Sequence, residues 1–269
     1  MTLASDALRI ARRAIDAVEP GRAVRRQLRL VGDRLRVSGG NWLLPRGRSV
    51  HLVAFGKAAA RMYGAAWGVL APRVAGGIVV LRNHDAPPGP PAQVFYGEHP
   101  VPGRGSVRAG RAVVAYLRSI PRTQSVLFLI SGGGSSLIEL PAVGIRVSDV
   151  ARTTKALLGS GAPIQAMNIV RRHVSQIKGG GLARFAGHCR FASMAISDVV
   201  GDAPEDIASG PTVADPSSFL DALGVIRRYH LEGRIPKSVL VHLKQGAAHE
   251  SGGRISPPQG RFSIVARNA

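Results

Sequence analysis

The sequence has one cysteine, Cys189, which rules out an internal disulfide framework and any cysteine-based zinc site and leaves nothing pointing to an oxidising compartment. Aromatic residues are only 5% of the chain, too few for the stacking platforms that single-stranded nucleic acid requires. Acids are scarce as well, 16 against 36 Lys and Arg, giving a formal charge of +20. Such a charge attracts polyanions at low salt. The arginines nevertheless run from Arg9 to Arg267 as scattered singles and pairs, never a long basic block, so no specific nucleic-acid partner is expected. No apolar run reaches the roughly 18 residues of a membrane span, and the Arg-rich N-terminus lacks the apolar block of a signal peptide. No membrane association and a cytoplasmic location are the expectation. Two phosphate signatures are also missing: no Gly-Lys-Ser/Thr closes a Walker A loop, and Leu137 stands where Gly-x-Gly-x-x-Gly needs its last glycine.

What is present centres on residues 126–136. The run Val126-Leu127-Phe128-Leu129-Ile130 has the length and composition of a strand buried on both faces, as in parallel sheets. It ends in Ser131-Gly132-Gly133-Gly134-Ser135-Ser136, where a backbone without side chains can converge its N–H groups on an anion and three hydroxyls add donors. The same triplet would also serve as a flexible connection.

Other stretches repeat the pattern. Residues 3–18 space apolar side chains as an amphipathic helix that Glu19-Pro20-Gly21 ends, and residues 22–48, basic and broken by Gly32, Gly39-Gly40 and Pro45, predict a hairpin or loop. Ser49–Phe55 predicts a buried strand running into Gly56-Lys57 and an alanine-rich helix, so Lys57 stands beside free helix N–H groups, either as an anion contact or as a solvated lysine. Strands are predicted at 76–81 and 93–96, then a turn at Gly97-Glu98-His99-Pro100, in which His99 is a ligand contact, a base or a turn residue. Helices are predicted at 106–117 and 148–158. Asn168, Arg171, Arg172, Ser175 and Lys178 recur at three- or four-residue spacing, a cationic face on one helix that leads into Gly179-Gly180-Gly181.

A strand at 191–196 opens into Ser197-Asp198, Asp202 and Asp206, a concentration of acid at the carboxyl end of a strand. Carboxylates there hold a nucleotide's Mg2+ or take a hydroxyl proton; equally, Asp198 and Asp206 could cap helices or pair with arginines. Ser218-x-x-Asp221 starts a helix as a capping box, another follows from Pro236, and Phe262–Val265 predicts a last strand. Strands alternating with helices predict an α/β fold: a three-layer, Rossmann-like domain with a mostly parallel sheet flanked by helices.

Taken together, Phe55-Gly56-Lys57-Ala58, His99-Pro100-Val101-Pro102, Leu129 to Ser135, Leu157 to Gly161, Asn168 to Gly180 and Ser197 to Thr212 resemble, in order, the glycerate 2-kinases. These are the type II glycerate kinases, formerly labelled hydroxypyruvate reductases. The resemblance implies ATP-dependent phosphorylation of D-glycerate to 2-phosphoglycerate, with Mg2+, in a cleft between two α/β domains. It implies catalytic roles for Lys57 and Asp198 and phosphate or nucleotide contacts from Ser131, Gly132, Gly133, Gly134, Ser135, Ser136, Lys178, Gly179 and Gly180. Asn168, Arg172 and His99 would contact substrate; no metal ligands are assigned.

The chain departs from the family pattern at Gly103, Ser136, Ala166 and Gly181. The family's second domain, with its own glycine-rich and acidic motif, has no counterpart in the sequence, so residues 1–250 are expected to form the N-terminal domain and 251–269 a linker and the start of the next. The partners expected are the small-molecule substrate glycerate and a homodimer or a complementing second-domain chain. Two other functions are a non-catalytic nucleotide- or phosphate-binding module and a hydroxypyruvate reductase, the latter requiring a dinucleotide fingerprint that the sequence lacks.

Overall fold

The computed structural model describes residues 3–17, 19–37, 40–250 and 260–267. Helix α1 (Leu3–Ala17) is followed at once by α2 (Pro20–Gln27). Pro20 therefore starts a helix as well as following one, because its fixed φ and missing N–H suit the first turn. The Glu19 carboxylate caps that turn by accepting from the N–H groups of Gly21 (2.9 Å) and Arg22 (2.6 Å).

The stretch expected as a hairpin or loop is an antiparallel meander of β1 (Leu28–Val31), β2 (Arg34–Val37) and β3 (Gly40–Leu43). Leu28, Leu35, Val37 and Trp42 turn inward from it, while Arg29, Arg34 and Arg36 are exposed.

The main sheet begins with β4 (Val50–Phe55), which α3 (Ala59–Leu70) connects to β5 (Val74–Arg82) and then to β6 (Gln93–Gly97). Helix α4 (Arg104–Ser119) crosses back to β7 (Ser125–Ser131), which runs into the single turn α5 (Gly134–Leu137). After α6 (Val147–Leu158), α7 (Ile164–His173) and α8 (Gly181–Ala186) comes β8 (Arg190–Ser197); α9 (Phe219–Arg228) and α10 (Lys237–His249) precede β9 (Arg261–Arg267).

The six strands lie in the order β6-β5-β4-β7-β8-β9, every neighbouring pair parallel. The strand expected at 262–265 thus forms and pairs with β8 in this same sheet. The chain builds outward from β4 in one direction and then from β7 in the other. The β4/β7 junction is therefore a topological switch point, where open α/β sheets leave a crevice at the carboxyl ends of their strands.

Alternation along the central strands makes the three layers. Val53, Phe55, Phe128 and Ile130 pack under α4 and α8, whereas Leu52, Ala54, Leu127 and Leu129 pack under α3 and the meander. Both faces are covered, so the central strands are uninterrupted apolar runs. A third core joins α6, α7, α9 and α10 around Leu157, Val170, Ile226 and Leu243. Capping of α9 follows the sequence: Ser218 Oγ accepts the Asp221 N–H (3.1 Å), and Asp221 Oδ2 accepts the Ser218 N–H (2.8 Å). Among the described residues no helix is long and apolar enough to cross a membrane.

At the start of α4 the same logic positions a neighbour of the crevice. The Glu98 carboxylate accepts from the N–H groups of Gly105 (3.0 Å) and Ser106 (2.8 Å) and from the Ser106 hydroxyl (2.8 Å). Burial pushes this carboxyl up, but the bonds from Ser106 and Gly105 outweigh it and hold it below the usual carboxylate range. Because its folded pKa is the lower one, its stabilisation is complete above pH ~4.5 and is lost as pH falls through the folded value. Glu98→Gln is expected to destabilise the fold by about 1 kcal/mol at pH 7. Urea denaturation should find the difference full at pH 7 and shrinking as pH falls below ~4.5.

Candidate active site

The switch point brings the sequence's two strongest signals together. Gly56, just after β4, has φ +120°, and any side chain there would strike Ser131 at the end of β7. The two strand ends are stitched by the Lys57 N–H donating to the Gly132 carbonyl (2.9 Å) and the Ala58 N–H donating to Ser131 Oγ (3.0 Å). Gly133 turns the chain with φ +81°. A Cβ on it would stand 2.9 Å from the His99 ring and 3.2 Å from Lys57 Cε, so both side chains lie against the glycine turn. Gly132 plays the same part toward β8: a Cβ there would collide with the Asp198 carboxylate. Lys57, His99 and Asp198, from the ends of three different strands, therefore meet over Gly132-Gly133.

These groups open into a cavity of about 510 Å³, lined also by Ser135, Ser136, Asn168, Arg171, Asp206 and Ala208. Lys57 Nζ and the Asp198 carboxylate have no hydrogen bond or ion pair among the described residues. His99 is held below the usual imidazole range by partial burial and by the positive charges of Lys57, Arg82 and Arg171, against the opposing pull of Asp198. It is therefore neutral at pH 7 and able to accept a proton.

The far wall is fixed by a polar network. Asn168 Nδ2 donates to the backbone carbonyl and Oδ1 of Asp206 (both 3.2 Å), and Ser209 Oγ donates to Asn168 Oδ1 (2.9 Å). The network holds Ala208 and Ser209 at φ +52° and +62°, a left-handed backbone that non-glycine residues adopt only under constraint.

Several expected site residues are not in the cavity. Ser131, Gly132 and Gly134 support the turn from behind, Ser131 as acceptor for Ala58 and Gly134 against Phe55 and Ala208. Arg172 is turned away and used up, with Asp206 Oδ1 at 3.1 Å, Asp215 Oδ1 at 2.8 Å, the Glu205 carbonyl at 3.0 Å and Ser217 Oγ at 3.2 Å. Lys178 does not reach the cavity lining either: its ammonium is buried in an ion pair with Glu139. Gly179 and Gly180 use their N–H groups on the carbonyls of Ser209 (3.1 Å) and Gly210 (2.7 Å), which leaves none for a phosphate. The helix expected to carry Asn168 through Lys178 stops at His173, because the chain bends there for Gln176 N–H to reach the Leu140 carbonyl (2.7 Å). Among the described residues no three His, Cys, Asp or Glu side chains gather as a metal cluster.

Gly132→Ala is expected to lower any turnover by at least about tenfold by displacing Asp198, a misplacement that orientation-dependent chemistry does not tolerate. The melting temperature should stay near that of the unsubstituted chain, since the displaced carboxylate is exposed. Steady-state kinetics beside a thermal melt checks both.

A doubly wound sheet whose switch point carries a glycine turn, and a lysine and a carboxylate without partners among the described residues, defines an α/β domain with a polar crevice at the carboxyl ends of its strands. Residues 6–244 match the family described as Domain of unknown function (DUF4147). The chain is 39% identical over 228 residues to D-glycerate 2-kinase of Thermotoga maritima, covering 84% of this chain and 51% of that protein. It is 37% identical over 243 residues to glycerate 2-kinase of Pyrococcus horikoshii, covering 90% and 54%. A crystal structure of a protein from Pyrococcus horikoshii OT3 superposes with a TM-score of 0.86 at 35% identity, over 99% of this chain and 60% of that one. The chain belongs to this family, that of the glycerate 2-kinases, and spans about half the length of the curated relatives it matches.

Proposed function

We propose that this chain forms the phosphate- and substrate-holding half of an ATP-dependent kinase that phosphorylates D-glycerate at its 2-hydroxyl to 2-phosphoglycerate. The observation that carries the reading is the meeting of Lys57, His99 and Asp198 over the Gly132-Gly133 turn at the switch point. The names of the relatives from Thermotoga maritima and Pyrococcus horikoshii supply the substrate and the position phosphorylated. Phosphoryl transfer passes through a loose transition state, so positioning and charge stabilisation do most of the catalysis.

In this reading the turn at Gly133–Ser135 receives the triphosphate, and Lys57 stabilises charge on the phosphoryl group in transit. Neutral His99 accepts the hydroxyl proton. Asp198, a single free carboxylate, fits a Mg2+ that arrives on the nucleotide with most of its ligands already in place, and Asp206, committed to Arg172 and Asn168, does not. The ion, when bound, neutralises phosphate charge. The coupled release of ADP tests the proposal, measured with D-glycerate for the chain alone and for the chain mixed with the remaining half of the Thermotoga maritima relative. ADP formation in either case supports the kinase. Nucleotide binding without ADP in both would leave a non-catalytic binding module.

A further inference from the structure

Two arginines stand side by side on α7 and meet opposite fates. Arg172 is only 3% exposed and surrounded by acceptors. Arg171 lines the cavity and is partly buried, and its guanidinium has no hydrogen bond or ion pair among the described residues. The acid whose field reaches it, Glu139, is already committed. Glu139 Oε2 is paired with Lys178, and Oε1 accepts from Ser175 Oγ (2.6 Å) and the Leu140 N–H (2.9 Å). Of the two cations near this carboxylate, Arg171 is the one whose charge has no bonded partner among the described residues. Arginine cannot shed that charge at any ordinary pH. A cavity-facing guanidinium without a partner has its donors open to an anion from outside.

We infer that Arg171 binds the carboxylate of the substrate and makes the cavity selective for hydroxy acids over neutral polyols. The site stands on the geometry alone; only the identity of the carboxylate as that of D-glycerate rests on the kinase reading. The other cations near the cavity are otherwise placed. Lys57 lies against the glycine turn, where the phosphates go, and Arg82 is held by Asp85 at 2.8 and 3.0 Å. A guanidinium offers a planar fork that matches a carboxylate with two parallel N–H bonds. Asn168, one turn earlier on α7, lines the same wall.

The test is titration calorimetry of D-glycerate and of glycerol, which lacks the carboxylate, against the unsubstituted chain, Arg171→Gln and Arg171→Lys, with thermal melts and titration of a non-hydrolysable ATP analogue alongside. The unsubstituted chain should bind D-glycerate and prefer it to glycerol. Arg171→Gln should weaken D-glycerate by roughly 10- to 100-fold, as loss of a charge-assisted pair does, and leave the ATP analogue unchanged. Arg171→Lys should recover part of the loss. Without ligand, Arg171→Gln should melt at or above the temperature of the unsubstituted chain, because it removes an uncompensated charge; a structural arginine would do the reverse. Equal D-glycerate binding by Arg171→Gln, no binding by the unsubstituted chain, no preference over glycerol, a parallel loss of the ATP analogue or a clearly lower melting temperature would each overturn the assignment. Arg171-dependent binding of D-glycerate without ADP release would sink the kinase reading and keep this one; ADP release indifferent to Arg171 would do the opposite.

Discussion

Lys57→Met is expected to lower kcat about a thousandfold, the scale on which removal of a preorganised charge at the reacting group acts, while the fold stays intact. Methionine keeps most of the unbranched stem that lies on Gly133 and deletes only the charge. Lys57 is exposed, and its ammonium has no partner among the described residues, so no folding contact is lost. Only an interaction stronger in the transition state than in the ground state changes kcat. Coupled ADP-release kinetics should therefore show the loss in kcat with the KM for D-glycerate little changed. A loss confined to KM would make Lys57 a simple binding contact.

The second large effect falls on stability. Glu139→Gln is expected to destabilise the chain by about 3–5 kcal/mol, the cost of leaving one member of a buried pair uncompensated. Glu139 and Lys178 are both 2% exposed, and removing the carboxylate charge leaves the buried Lys178 ammonium without its counter-charge and beside the positive charge of Arg171. Burial already lowers the pKa of Lys178, with Glu139 pulling the other way, so the pair is held together by one acid. Replacing both partners, Glu139→Leu with Lys178→Met, should recover much of the loss, since two well-packed apolar side chains avoid the desolvation that the ions suffer. Denaturant unfolding of the three proteins measures this. A Lys178→Met variant that kept full stability and lost nucleotide affinity would instead return Lys178 to the role its sequence context suggested.

The contrast between Lys57 and Lys178 shows what the sequence carried and what it did not. Both adjoin glycines at strand or helix junctions, and the resemblance implied a catalytic role for Lys57 and a phosphate contact for Lys178. The difference lies in where the backbone donors go: Gly179 and Gly180 meet the carbonyls of Ser209 and Gly210, partners some 30 residues away that no local pattern reveals. Arg171 and Arg172 make the same point more sharply. Adjacent and chemically identical, they differ only in that the 205–217 segment folds its acids against one of them.

The main sheet was legible because strands buried on both faces must be continuous apolar runs, and β4, β7 and β8 are such runs. The meander of β1 to β3 was not, since all three strands are only four residues long and β1 and β2, which alternate Arg with Leu or Val, resemble a basic loop until a partner face exists. The capping box at Ser218 is legible because it is complete within four residues.

The most direct measurement is a crystal structure of this chain with a non-hydrolysable ATP analogue. The terminal phosphates should lie on the turn at Gly133–Ser135, with Lys57 Nζ within hydrogen-bond distance and Asp198 beside them. Phosphates seated at Gly179-Gly180, or at the opposite ends of the strands, would contradict the account.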